Sequence, residues 1–221
     1  MEFKIRVSSY AHSILRLTSS ICSLLRFPFN SCSPMNINHW TDQIDATTAA
    51  FIEAFRTLSV EELNWKPDAQ TWSVAQNIHH LIVINQTYYP IIKSVRAGTY
   101  QLPWIGKINF MVSFFGNTIL KSVSPDRKRK MKTFPLWEPS QSQIDEDVLH
   151  QFDKHQNGLK ELIRSSTDLL EANTLISSPA NKNIVYTLKS AFDIIVTHEL
   201  RHLEQAKVVN EWRTKKVERE K

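Results

Sequence analysis

Apolar residues recur every three to four positions through four long stretches of this chain, and few stretches alternate with period two. The first stretch covers roughly residues 37–58, with Trp40, Ile44, Thr47, Phe51 and Phe55 on one stripe. Ser59 with Glu62 then has the spacing of a capping box for a short helical turn. The second opens after Trp72, with Ser73 placed to act as N-cap, and runs to about residue 95. The third, over about 143–165, uses Ile144, Val148, Phe152 and Leu159, and the fourth, over about 184–212, aligns Leu188, Phe192, Ile195, Ala206 and Val209. Only 4 of 221 residues are glycine and 42% are hydrophobic, enough for a single core built from helices. The expected fold is all-α: an up-and-down four-helix bundle with a long helical insertion between the second and third helices.

That insertion, about residues 96–142, far exceeds an ordinary bundle loop. It holds Trp104, Ile105, Phe110, Met111, Val112, Phe114 and Phe115, interrupted by Lys107 and Asn109. It is too short and too polar to span a membrane. A further helix over one end of the bundle is expected, with a substrate lid or a peripheral membrane contact as the alternatives. The basic run Arg127-Lys128-Arg129-Lys130-Met131-Lys132 that follows favours the second of these.

Residues 1–34 differ in character. They are rich in Ser and Arg, carry one acidic residue (Glu2) and hold both cysteines, Cys22 and Cys32. Arg16 and Arg26 break the apolar run, so no secretory or spanning segment is expected. The segment reads as an extension outside the fold, either a transit-like leader or sequence upstream of a start at Met35, and the second reading is preferred. Residues 35–213 form the bundle and 214–221 a charged tail. A body without cysteine has neither a disulfide framework nor a thiolate-ligated zinc site, and a cytoplasmic setting is expected. The net charge of +5 comes from local basic clusters. These read as solvated surface, and without aromatics interleaved on one basic face no nucleic-acid partner is expected.

Of the 8 histidines, His198 and His202 stand four apart in the last helical stretch. Their imidazoles therefore project from one face about a turn apart, a good geometry for two ligands on one ion. Spacing alone is weak evidence, since such a pair arises by chance about 0.3 times in a chain of this composition. Wheel position adds to it: both fall beside Ala191, Ile195 and Val209, on the flank of the apolar arc. Buried ring nitrogens need partners, and a shared metal supplies them, as would hydrogen bonds to carbonyls or between the rings. In the second stretch His80 flanks the apolar arc near Ser73, Asn77 and Ile84, whereas His79 points more than a quarter-turn away toward the surface. His39, His150 and His155 have no spacing partner, His12 lies in the extension, and all four read as structural or solvated.

Taken in order, Leu63-Asn64-Trp65-Lys66-Pro67, the run from Thr71-Trp72-Ser73 through His79-His80-Leu81, and His198-Glu199-Leu200-Arg201-His202-Leu203-Glu204-Gln205 resemble the DinB-like superfamily, also described as the DinB/YfiT-type metal-binding bundles. The resemblance extends over about residues 35–213. It implies one divalent metal ion on His80, His198 and His202, with open positions for water or substrate. It also implies a thiol-dependent activity: transfer of glutathione, mycothiol or bacillithiol to a small electrophile, in a protein that is commonly a homodimer. Metal-dependent hydrolysis through a bound water, or a metal-stabilised stress-response bundle without catalysis, are the alternatives. Imidazole ligation suits zinc, nickel or iron alike. Asn77, Glu199, Arg201 and Gln205 are the candidates to orient ligands or grip substrate.

His198-Glu199-Leu200-Arg201-His202 also spells the H-E-x-x-H motif of zinc proteases, with Glu199 as general base. The longer metzincin pattern would need Gly and His where this chain has Gln205 and Val208. A downstream glutamate ligand has little room before the charged tail, and no strand pattern precedes the motif to hold a peptide. A protease is therefore not the expected function.

Overall fold

The computed structural model describes residues 37–126, 137–138, 143–144 and 147–220; the extension at 1–34 and the basic run at 127–132 lie outside the described residues. Eight helices and one small hairpin are found there. They are α1 (Asn38–Phe55), α2 (Val60–Asn64), α3 (Val74–Gln86), α4 (Tyr88–Arg96), α5 (Asn109–Ser122), α6 (Val148–Arg164), α7 (Thr167–Glu171), strands β1 (Leu175–Ser178) and β2 (Asn181–Thr187), and α8 (Leu188–Arg219). The protein is helical in class. α1 packs on α6 and α8, and α3 packs on the same two helices.

Local chemistry explains the helix starts. Ser59 caps α2 through a capping box with Glu62, and Ser73 caps α3 through one with Gln76. Thr187 caps α8 by accepting from the Ser190 amide. The boundaries depart from the sequence expectation in three places. The second stretch is two helices, divided at Thr87. Pro90 has no N–H to donate to the carbonyl four residues back, and its ring crowds that carbonyl, so the helix from Ser73 cannot run through. The third stretch starts at Val148, not at 143. Both backbone groups of Ile144 are taken by the Asn64 side chain, which donates to its carbonyl at 2.9 Å and accepts from its amide at 2.8 Å. Those groups are then unavailable to a helix. The fourth stretch starts at Leu188: Ile184 to Thr187 belong to β2, paired antiparallel with β1. The consecutive Ile184, Val185, Tyr186 and Thr187 are β-branched or aromatic and suit a strand.

The core divides in two along the helices. One cluster gathers Trp40 and Ile44 of α1, Ile92 of α4, Leu159 and Ile163 of α6, and Phe192 and Ile195 of α8 around Ile176 and Tyr186 of the hairpin. The other gathers Phe51 and Phe55, Ile78 and Leu81, Val148 and Phe152, and Leu203 and Ala206. Between them four of the helices place buried polar residues: Thr47 and Thr48 on α1, Asn85 on α3, Gln156 on α6 and Glu199 on α8.

The insertion is helical, as α5. Val112 and Gly116 turn inward, and Gly116 stands where a Cβ would come within 3.1 Å of Ser190 Oγ and 3.5 Å of Tyr186 Cβ, so α5 lies close against β2 and α8. No helix among the described residues is long and apolar enough to cross a membrane.

Candidate metal centre

The capping box at Ser73 fixes the first turn of α3, and His80 follows about two turns on. Asn77 lies between them, its Nδ2 donating to the Ser73 carbonyl at 2.8 Å. α8 packs on this part of α3 and brings His198 and His202 to it. The three imidazoles converge, with ring centroids 4.7 Å apart for His80 and His202, 4.5 Å for His198 and His202, and 5.3 Å for His80 and His198. One nitrogen from each ring lies within 4.8 Å of the others, and Nε2 of His198 and His202 are 3.0 Å apart.

Hydrogen bonds set which nitrogens are free. His80 Nδ1 is 2.6 Å from the Trp137 carbonyl, which can only accept, so Nδ1 carries the proton and Nε2 a lone pair. His202 Nδ1 is 2.7 Å from Asn77 Oδ1, and because Asn77 already donates through Nδ2, His202 likewise holds its proton on Nδ1. Two Nε2 lone pairs thus face the cluster. The one ring that remains, His198, can offer an N–H to only one of them. A cation satisfies all three at once. Nitrogens bound to one ion at about 2.0–2.1 Å stand about 3–4 Å apart, so the observed cluster needs shifts of no more than about an ångström. The donor set, three imidazoles, suits a divalent transition metal rather than calcium or magnesium.

Electrostatics point the same way. Burial pushes the pKa of His80 down to about 4 and that of His198 to about 3, the latter helped by His80 and Arg201. For His202, burial first, then the neighbouring His198, His80 and Arg201, hold it well below the usual imidazole value. All three are therefore neutral, the ligand form, across the physiological range. Trp72 closes one side. Its ring stacks on His202 at 5.8 Å and 15° and tilts on His80 at 4.9 Å.

The other residues proposed from sequence separate. Asn77 touches the cluster through His202. Arg201 donates to the carbonyls of Ser122 and Ser124, at the end of α5. Glu199 is fully buried on another side of α8, where Oε1 accepts from Asn85 Nδ2 and Oε2 from Gln156 Nε2, each at 2.8 Å. Burial raises its pKa to about 7 against the lowering effect of both amides. Each of its oxygens already holds an amide, unlike a general base aimed at a metal-bound water. Gln205 is half-buried and makes no hydrogen bond to the histidines among the described residues. His39 and His150 are exposed, whereas His155 is buried beside Tyr89.

Sequence reasoning did not single out Trp72, Trp137, Asn85 or Gln156 as site residues. Trp72 had a signal, as the residue just before an N-cap on the helix that carries His80. Trp137 acts through its carbonyl, which no side-chain pattern reveals.

No curated protein and no solved structure matches the chain. The model of the DinB superfamily does, over residues 43–206, a span that holds all three converging histidines. The chain belongs to the DinB superfamily, and its His80, His198 and His202 form a cluster that could hold a metal ion.

Proposed function

We propose that this protein binds one divalent transition-metal ion (zinc, nickel or iron) on His80, His198 and His202 and uses it to transfer a low-molecular-weight thiol to a small electrophile. The observation that carries the reading is the pair of Nε2 lone pairs on His80 and His202 directed into one cluster with His198. Three neutral ligands leave the ion's charge largely uncompensated, so a thiol or water beside it ionises near neutral pH.

The chain's own groups do the rest. The Trp137 carbonyl and Asn77 Oδ1 hold the protons of His80 and His202 on Nδ1 and keep both rings in one tautomer. Trp72 covers one side of the cluster, limiting water and offering an apolar wall to the substrate's carbon skeleton. The sulfur would attack the electrophilic carbon, forming a C–S bond as the bond from that carbon to its leaving group breaks; the leaving group departs with the electron pair, and the thiol proton goes to solvent. A cysteine-containing thiol of the glutathione, mycothiol or bacillithiol type is the proposed donor, and a homodimer is the proposed assembly.

Elemental analysis should find about one metal per chain, and His80→Ala and His202→Ala should be depleted of it. Thiol consumption with a panel of small electrophiles should then be abolished by a chelator and restored by metal. A metal-loaded protein inert toward every thiol–electrophile pair would refute the transferase. Metal-dependent ester or amide hydrolysis would put a hydrolase in its place, and neither activity would leave a metal-stabilised bundle.

A further inference from the structure

α5 is amphipathic and only one of its faces is covered. Val112 and Gly116 lie against β2 and α8, while Phe110, Ser113, Phe114, Asn117 and Lys121 face solvent. Phe110 is 74% exposed and Phe114 50%, and their rings stack at 6.2 Å. Trp104, in the 3-10 turn just before the helix, is 72% exposed, and Leu102 and Ile108 are exposed beside it in sequence. Single exposed apolar residues are ordinary on a protein surface, but here three aromatic rings gather in one short segment.

Charge identifies the occupant. From residue 97 to residue 125 the chain has no Asp or Glu, and its only charged side chains are Lys107 and Lys121, both exposed. A second copy of the chain on this face would bring like charges together with no carboxylate to neutralise them. An anionic surface would be met by both lysines while the aromatic rings leave water. Exposed Phe on the helix, an exposed Trp in the turn before it and a lysine in each are the composition of a segment that lies in a lipid headgroup layer. Indole also suits the boundary between headgroup and acyl chain, with an apolar ring and one N–H donor.

We propose that α5 and the preceding turn form a peripheral membrane-docking face, inserting Trp104, Phe110 and Phe114 into the surface of an anionic bilayer with Lys107 and Lys121 on the headgroups. The face attaches without spanning. It shares no side chain with the histidine cluster, so it stands or falls separately from the metal chemistry.

Sedimentation of the full-length protein with phosphatidylcholine vesicles, with and without phosphatidylglycerol, tests this. The wild type should partition onto the phosphatidylglycerol vesicles, less onto phosphatidylcholine alone, and less again at high salt. The double substitution Phe110→Glu and Phe114→Glu should lower partitioning by at least about tenfold. Its helix content and melting temperature should stay at the wild-type values, because both side chains are exposed. Lys107→Glu with Lys121→Glu should weaken binding only to the anionic vesicles. Absence of vesicle binding by the wild type would overturn the proposal. So would undiminished binding by the Phe variant, which would place the attachment elsewhere in the chain. A wild-type dimer that the Phe variant dissociates, without lipid binding by either, would assign the face to a second copy instead.

Discussion

Two buried polar regions meet on α8, one residue apart in sequence, and they are finished in opposite ways. At His198 and His202 the ring nitrogens turn toward His80 with more acceptors than the rings have protons to share. At Glu199 each carboxylate oxygen receives an amide N–H, from Asn85 on α3 and Gln156 on α6, and the two apolar clusters close above and below. Burial shifts the pKa values in both, so neither burial nor a shifted pKa marks the site. What differs is the donor balance: both Glu199 oxygens hold an amide, with Gln156 Oε1 the one atom beside them, among the described residues, that is buried without a partner, whereas the histidine cluster sets two Nε2 lone pairs against one remaining ring. The same contrast answers the H-E-x-x-H motif. Glu199 lies between the two histidines on α8 but meets other partners: His198 and His202 turn to His80, whereas the glutamate is held by Asn85 and Gln156.

The largest effect expected from breaking this contrast is at the three histidines. His202→Ala should lower metal affinity by more than about a hundredfold, beyond the loss of an orienting partner, as read by competition with a chromophoric chelator. It should leave the far-UV circular dichroism unchanged. Glu199→Ala should do the reverse. It strands the Asn85 and Gln156 amides in a dry interior and opens a void, costing about 3–5 kcal/mol of stability in urea unfolding, while the refolded protein keeps its metal.

His155 sharpens the comparison, as a buried histidine with no convergent partners. Burial holds its pKa down to about 4, so between pH 6.5 and 4 the unfolded chain takes up the proton first. Its contribution is intact above about pH 6.5 and is lost as pH falls toward 4, to a maximum of about 3 kcal/mol. The histidine cluster acts in the same direction, so the quantity to measure is the difference between wild type and His155→Gln across that range. A difference that does not change with pH would remove His155 from the acid response. The smallest effect is that of Asn77→Ala, which frees the His202 ring without removing a ligand. Metal affinity should fall about 10–100-fold, with the three-imidazole site still formed.

Much of this was legible in the sequence, for reasons that can be named. His80, His198 and His202 lie on the flanks of apolar helical arcs, and the Ser73 cap fixes where α3 begins, so the three histidines that converge could be named from periodicity and family resemblance together. Glu199 could be read as buried, but not as held by Asn85 and Gln156. Those pairings span 114 and 43 residues and depend on how three helices are rotated. Helix ends were hidden where a side chain or a strand outbid periodicity. Asn64 captures the backbone of Ile144, and Ile184 keeps helical spacing with Leu188 although it lies in β2. Pro90 was visible throughout, and its effect on α3 follows from its missing donor.

Metal K-edge X-ray absorption of the metal-loaded protein and of His80→Ala tests the central claim most directly. The wild type should give three imidazole ligands at about 2.0–2.1 Å, and the variant either two or no bound metal. A shell without imidazole scattering, or three imidazoles retained in the variant, would contradict it.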